Sequence, residues 1–248
     1  MFWLALLLLA GIAAQRLWAI LPYRRRRRGI WDPKKELKQS ELEQQVRERA
    51  PKGVKTMVVL GSGGHTSEML HLVATLSSSV YHPLCYVVAQ TDHTSIARIP
   101  TDREFTVKVI PRSREVGQSW SSTVWTTLVA LFSSARLVFQ ERPDLLLVNG
   151  PGRRNLLQVT VPLISLADLL PSFLFLHPGT CIPIAFWFLL LKASCLKRGR
   201  LIFCESFCRV LTLSMTGQLL YYFADRFIVH WPELLEKFAY VEYIGQLG

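Results

Sequence analysis

The chain has 248 residues, half of them hydrophobic, and it carries 29 Lys and Arg against 18 Asp and Glu. This composition excludes a collagen, an intrinsically disordered tail and a disulfide-stabilised miniprotein. The length fits one α/β domain of ordinary size with an appendage, and two complete catalytic domains would be cramped in it.

The net charge of +11 is concentrated near the amino terminus. The first 55 residues hold thirteen of the Lys and Arg but only five of the Asp and Glu, so the rest of the chain carries a net charge of only +3. A nucleic-acid-binding domain would spread its basic charge over a face of the fold. We therefore expect no nucleic-acid partner.

The first 21 residues are almost wholly apolar and are followed by five arginines at positions 24–28. This order predicts a transmembrane anchor at 1–23 with its basic flank in the cytosol, and then a basic linker at 24–55. A cleaved signal peptide would carry its positive charge before the apolar run, and an arginine-rich nucleic-acid arm is not usually fused to such a run. Arg16 interrupts the run and would have to snorkel or face a partner.

From residue 56 onward, short apolar runs alternate with stretches of helical periodicity. The runs predict strands at 56–60, 84–89, 105–110, 144–148, 201–204 and 227–229. The periodic stretches predict helices at about 68–76, 121–140, from 182 onward and at 215–224. Apolar strands that alternate with helices are typical of a parallel sheet covered on both faces. The predicted fold class is therefore α/β, with a Rossmann-like parallel sheet.

The five cysteines give no sign of a metal site. They contain no CxxC pair, and Cys204 and Cys208 have no histidines at ligand spacing. We expect reduced, buried thiols, with neither a metal nor another cofactor.

A glycine-rich turn follows the first predicted strand. Its residues are Gly61, Ser62, Gly63, Gly64, His65 and Thr66. Glycines in this position let backbone N–H groups approach phosphate oxygens, and the following helix favours negative charge at its start. The turn matches neither the dinucleotide-binding pattern nor a Walker loop, since the lysine is missing, so a purely structural turn is the alternative.

Two titratable side chains of this region are candidates for proton transfer. His65 would project at the turn and could act as a general base, or it could hydrogen-bond and orient the turn instead. Glu68 could cap the start of the helix, with Thr66 nearby, or it could orient His65.

Two other strand exits carry polar residues. Arg112 and Arg114 follow the third strand, where they could pair with anionic groups or form a solvated charged turn. Asn149 and Gly150 follow the fourth strand. Residues that follow neighbouring strands and face one crevice would together form a ligand site.

Several short motifs, taken in order, resemble one family. They comprise the glycine turn with Glu68, the run 110–116, the stretch 149–152, Glu205 and Ser206 with Arg209, the run 212–214, Trp231 with Pro232, and Tyr243 with Gly245. Across 56–248 they closely resemble the membrane-anchoring subunits of the dolichol-pathway UDP-N-acetylglucosamine transferase, the family of asparagine-linked glycosylation protein fourteen.

The resemblance implies the acceptor-side half of a split GT-B glycosyltransferase, inactive alone. A soluble catalytic subunit would supply the half that binds UDP-N-acetylglucosamine, in a heterodimer or larger complex. The complex would add the second N-acetylglucosamine to N-acetylglucosaminyl-diphosphodolichol on the cytosolic face of the endoplasmic reticulum or the nuclear envelope. The alternatives are a self-sufficient membrane-bound sugar-nucleotide glycosyltransferase and a non-catalytic membrane scaffold.

On this interpretation His65 or Glu68 handles the proton of the acceptor's 4-hydroxyl. The phosphate- or acceptor-binding set comprises Gly61, Ser62, Gly63, Gly64, Thr66, Arg112, Arg114, Asn149 and Gly150.

One segment departs from the family pattern. The family runs from Asn-Gly-Pro-Gly directly into Thr-Cys-x-Pro, whereas here residues 153–179 separate Gly152 from Thr180. A coding segment retained by alternative splicing would explain this insertion. The segment is apolar enough to suggest a second membrane span, but its prolines would interrupt a helix repeatedly. We expect a poorly packed or interfacial loop before a helix from about Ile182, and an impaired isoform.

Overall fold

The computed structural model describes residues 50–111, 120–150, 180–194 and 196–245, with isolated helical positions at 15, 44 and 46–48. The strands in these ranges are β1 (Thr56–Val59), β2 (Leu84–Ala89), β3 (Phe105–Ile110), β4 (Leu145–Asn149), β5 (Arg200–Cys204), β6 (Arg226–Val229) and β7 (Glu242–Tyr243). The helices are α1 (Gly64–Ala74), α2 (His93–Ile96), α3 (Trp120–Glu141), α4 (Cys181–Ala193), α5 (Met215–Leu220) and α6 (Glu233–Lys237).

The seven strands form one sheet in the order β3-β2-β1-β4-β5-β6-β7, and every neighbouring pair is parallel. Thr56 at the start of β1 lies opposite Leu84 of β2 on one side and Leu145 of β4 on the other. The predicted parallel α/β sheet is confirmed. The chain builds outward from β1 to β3 and then returns to β4, so β1 and β4 flank the topological switch point, where α/β sheets place their ligands.

Helices cover both faces of the sheet because successive strand residues are apolar and point to opposite faces. Val58 belongs to a buried cluster that contains Met69 of α1. Its neighbour Met57 belongs to the cluster on the other face, which contains Val138 of α3 and Phe188 of α4. Both sides of β1 are therefore fully buried, and this packing fixes the position from which the following turn begins.

Some element boundaries differ from the sequence-based expectation. Helix α1 begins at Gly64, inside the glycine turn, and α5 ends at Leu220 rather than near residue 224. The short elements α2, α6 and β7 were not predicted, because two to five residues are too few to show a periodicity. Apart from residue 15, the candidate anchor at 1–23 lies outside the described residues, as does the segment 153–179; α4 begins at Cys181, next to the expected Ile182.

No helix among the described residues combines the length and the apolar character needed to cross a bilayer. The thiols of the described cysteines are free, with Cys85, Cys181 and Cys204 buried and Cys208 exposed.

The carboxyl-terminal end of α1 is held by an arginine that precedes β3. Arg103 Nη1 donates to the carbonyl oxygen of Leu76 at 2.8 Å and to that of Val73 at 3.4 Å, and its Nη2 reaches the carbonyl of Ala74. The last carbonyls of a helix have no partner inside the helix, so a guanidinium there both satisfies them and complements the helix dipole.

Two phenylalanines of α4 provide a test of where the core lies. Phe188 is 1% exposed, and a Cβ added at Gly199 would lie only 2.5 Å from its Cζ, whereas Phe186 is 36% exposed. We expect Phe188→Ala to lower the free energy of unfolding by about 3–5 kcal/mol, through lost burial and a residual cavity. Phe186→Ala should cost less than about 1 kcal/mol. Urea unfolding of the full chain in detergent, followed by fluorescence, measures both, and equal losses would contradict this packing.

Candidate functional site

The glycine turn lies at the switch point, between the end of β1 and the start of α1. Gly63 has φ +68°, a conformation that glycine adopts without strain and other residues rarely adopt. Ser62, Gly63 and Gly64 are exposed, and the N-cap residue of α1 is Gly63, which has no side chain with which to cap the helix. The turn therefore offers main-chain N–H groups and the positive end of an eleven-residue helix to an anion in the crevice.

Added side-chain atoms at the exposed glycines would enter this open space. Among the residues that the structure describes, no atom lies within 4 Å of a Cβ built at Gly63 or Gly64, whereas one at Gly61 would lie 3.0 Å from the Cβ of His65. Gly61 is thus required by the protein's own packing. Gly63 is required by its backbone angle, whereas the contacts of the described residues place neither demand on Gly64.

The turn is supported from below by buried hydroxyls. Thr66 is fully buried, and its Oγ1 donates to the carbonyl of Gly61. Thr66 Oγ1 also lies 2.6 Å from Ser95 Oγ, which in turn lies 2.6 Å from Asp92 Oδ2. Asp92 further caps α2 by accepting from the Ser95 N–H at 3.2 Å. A buried hydrogen-bonded network therefore connects the end of β2 to the turn after β1 and fixes the turn's conformation.

Arg98 lies beside the turn on its exposed side. Its Nη1 donates to the carbonyl of Gly63 at 3.1 Å and lies 3.4 Å from Ser67 Oγ. The guanidinium thus holds one peptide of the turn and adds positive charge next to the helix start. Both effects favour an anionic ligand.

The fourth strand contributes support across the switch point. Asn149 is 4% exposed, and its Nδ2 donates to the carbonyl of His65 at 2.7 Å. A Cβ at the adjacent Gly150 would lie 2.3 Å from Ser214 Oγ and 2.9 Å from Phe203 Cζ. Both residues lie at the site as predicted, and in this structure they contact the protein itself; their binding role stays a prediction.

The two candidate proton-transfer residues form a pair. His65 Nδ1 lies 3.3 Å from Glu68 Oε2, and Glu68 Oε1 accepts from Ser206 Oγ and from the N–H of Phe207, both at 3.2 Å. Burial raises the pKa of Glu68, but the hydrogen bonds and charge of His65 and the donors of Ser206 and Phe207 outweigh it, so the pKa is lowered. At this distance Glu68 can accept a hydrogen bond from His65 Nδ1–H, and in the neutral tautomer that bears this proton the lone pair of the ring lies on Nε2.

The sequence favours helix capping for Glu68 over orientation of His65, whereas the structure supports orientation, because the Glu68 carboxylate contacts the His65 ring. Asp92, Ser95 and Arg98, which brace the turn, were not foreseen. The spacing of Asp92 and Ser95 is a helix-capping pattern that could have found part of this support. Arg112 and Arg114 lie outside the described residues. No group of three or more His, Cys, Asp or Glu suited to a metal ion occurs in the part of the chain that the structure describes.

Comparisons with known proteins give consistent matches. The sequence profile of the family described as "Oligosaccharide biosynthesis protein Alg14 like" matches residues 56–172 and 155–247. The two matches overlap inside the segment that we expect to be inserted.

Curated relatives named UDP-N-acetylglucosamine transferase subunit ALG14 are similar over most of their length. The human protein is 39% identical over 204 residues, which are 77% of this chain and 82% of the relative. The Schizosaccharomyces pombe protein is 35% identical over 76% of this chain and 81% of the relative. A solved UDP-N-acetylglucosamine 2-epimerase has a TM-score of 0.45 at 14% identity, covering 75% of this chain and 43% of that one, a likeness too weak to bear on function. By the profile and its relatives, this chain belongs to the Alg14-like family of oligosaccharide biosynthesis proteins.

Proposed function

We propose that the chain is the membrane-anchoring, acceptor-side subunit of a two-subunit N-acetylglucosaminyltransferase. The observation that carries the proposal is the braced glycine turn, with the His65–Glu68 pair beside it at the switch point of a parallel sheet. Its relatives are named as subunits of a UDP-N-acetylglucosamine transferase, which supports an obligatory partner.

The partner would be a soluble catalytic subunit that binds UDP-N-acetylglucosamine. The described strands belong to one sheet with one switch point, whereas a GT-B enzyme binds donor and acceptor on two such domains facing each other. In this proposal the chain supplies the acceptor half, and the finer fold assignment is half of a split GT-B enzyme. Activity then requires the assembled complex.

The acceptor would be N-acetylglucosaminyl-diphosphodolichol. Its diphosphate suits the exposed N–H groups of the turn and the charge of Arg98. In an inverting transfer, His65 Nε2 takes the proton of the acceptor's 4-hydroxyl as that oxygen bonds to the donor sugar and UDP leaves. Glu68 holds the Nδ1–H of the ring and stabilises the imidazolium that forms.

The membrane assignment is part of the same proposal. Residues 1–23 would cross the endoplasmic reticulum membrane or the nuclear envelope once, and the arginines at 24–28 would keep the domain on the cytosolic side. A lipid-linked diphosphate lies in the plane of the headgroups. An anchored acceptor subunit therefore meets it by diffusion in the membrane, and its partner need not enter the membrane at all.

Deletion of residues 1–28 tests the anchor. The truncated protein should move from the membrane pellet to the soluble fraction, because the apolar run that would hold it is gone. Fractionation with an alkaline wash measures this, with deletion of residues 29–49 as the control that should stay in the pellet. Alkaline-resistant membrane association of the 1–28 deletion would mean that another segment anchors the chain.

Substitution of Gly64 tests the phosphate turn. Gly64→Ala adds a Cβ in open space at the first residue of a helix, so the fold should be retained. The added methyl should obstruct a diphosphate and raise the acceptor KM of the assembled complex about tenfold, a loss of about 1.4 kcal/mol in binding. His71→Ala, on an exposed position of the same helix, is the matched control. An unchanged KM would remove the phosphate-binding role.

His65→Ala tests the base. Loss of a general base predicts a fall in kcat of about 10² to 10⁴ with partner recruitment intact, measured with the purified complex and a short-chain lipid diphosphate acceptor. Co-purification with the soluble subunit is the control for assembly. Wild-type turnover with normal assembly would favour the scaffold function, because a non-catalytic subunit has no need of this imidazole.

A further inference from the structure

Glu205 is a buried carboxyl group that the proposed reaction does not use. It follows β5 directly and is 0% exposed. Its Oε1 accepts from the Ser206 N–H at 2.9 Å, and its Oε2 accepts from the N–H and the hydroxyl of Ser214 at 2.8 and 3.0 Å. Burial raises its pKa to about 7, against the effect of these donors and of the Arg209 charge. Burying a carboxyl group costs free energy that an apolar side chain of the same size would not cost.

Ser206 connects this carboxyl to the proton-transfer pair. Its N–H donates to Glu205, and its hydroxyl donates to Glu68 Oε1 at 3.2 Å. The next N–H, that of Phe207, donates to the same Glu68 oxygen. The turn after β5 thus donates hydrogen bonds to two carboxylates, those of Glu205 and Glu68. The Glu68 carboxylate also contacts His65.

The backbone at two glycines packs closely against Glu205 and Ser214. A Cβ at Gly217 would lie 2.3 Å from Glu205 Oε2, and one at Gly150 would lie 2.3 Å from Ser214 Oγ. Ser214 Oγ also accepts from the Gly217 N–H at 3.0 Å, which caps α5. The Glu205–Ser214 pair is therefore where the exits of β4 and β5 meet the start of α5.

We propose that Glu205 is a positioning residue that, through the turn of Ser206 and Phe207, fixes the Glu68 carboxylate and so the ring of His65. The inference rests on the proposed function, in which His65 is the base. Glu205 acts through the main chain of Ser206, from whose N–H it accepts a hydrogen bond. It sets the direction of two hydrogen bonds to Glu68, and a base misplaced by a fraction of an ångström transfers its proton more slowly.

The kinetic test uses the full chain assembled with its soluble partner. Ser214→Ala removes a donor to Glu205 and a cap but leaves the carboxyl buried. It should lower kcat about tenfold and leave the acceptor KM within about twofold. In a Glu68→Gln background the same substitution should change kcat less than about twofold, because the link to His65 is already broken. Equal losses in both backgrounds would overturn the proposal in favour of a general structural effect.

Asp225 provides the matched control. Its carboxylate accepts from the N–H of Leu201, at the opposite end of β5, and pairs with Lys192 at 2.5 Å. Asp225→Asn should lower the thermal stability of the chain while kcat per folded complex stays unchanged. A fall in kcat equal to that of Ser214→Ala would show that any loss of a polar contact on β5 has this effect, and would overturn the proposal.

A second measurement is independent of turnover. Nitrogen NMR shifts of labelled histidine in the detergent-solubilised full chain report which ring nitrogen of His65 bears the proton. Glu205→Gln should move the His65 signal away from the Nδ1-protonated form, toward that of Glu68→Gln, and Asp225→Asn should not. An unchanged signal overturns the positioning role. A shifted signal combined with normal turnover by His65→Ala supports positioning and refutes the proposed base.

Discussion

The hydrogen bond from Asn149 to the carbonyl of His65 joins the two halves of the sheet where the chain changes direction. Parallel strands end at one edge, and the turns that leave them have no ladder partners there. Each turn must therefore be fixed by side chains. Asn149 does this for the start of α1 from β4, and the hydroxyl of Thr66 does it from within the helix. The exposed N–H groups and the imidazole take their positions from these bonds.

The elements that could be predicted are those that local sequence patterns encode. Strands β1 to β6 are short apolar runs bounded by polar or glycine residues, and the sequence alone was sufficient to find them within one or two residues. The glycine turn was equally accessible, because Gly63 and Gly64 lie directly between a predicted strand and a predicted helix. The parallel order followed from the alternation of strands with helices.

The hydrogen bonds that hold the site could not be predicted from the sequence, because they join residues that are far apart along the chain. Ser206 and Glu68 are separated by 138 residues, and Asn149 and His65 by 84. No local spacing encodes which carboxylate a turn will meet across a sheet edge. The same reason explains Arg98, which reads as an ordinary exposed arginine until the fold brings it to the carbonyl of Gly63. Resemblance marked Glu205 as a feature of the family but gave no role for its side chain.

The two arginines between β2 and β3 have a mechanical consequence for α1. Arg98 holds a carbonyl just before the helix begins, and Arg103 holds carbonyls where it ends. Both belong to the segment that connects β2 to β3, so this one segment holds α1 at both of its ends. Hydrogen bonds at both ends oppose fraying of the helix and its movement along its own axis. If a bound anion displaced the glycine turn, α1 and the segment before β3 would therefore be expected to move together.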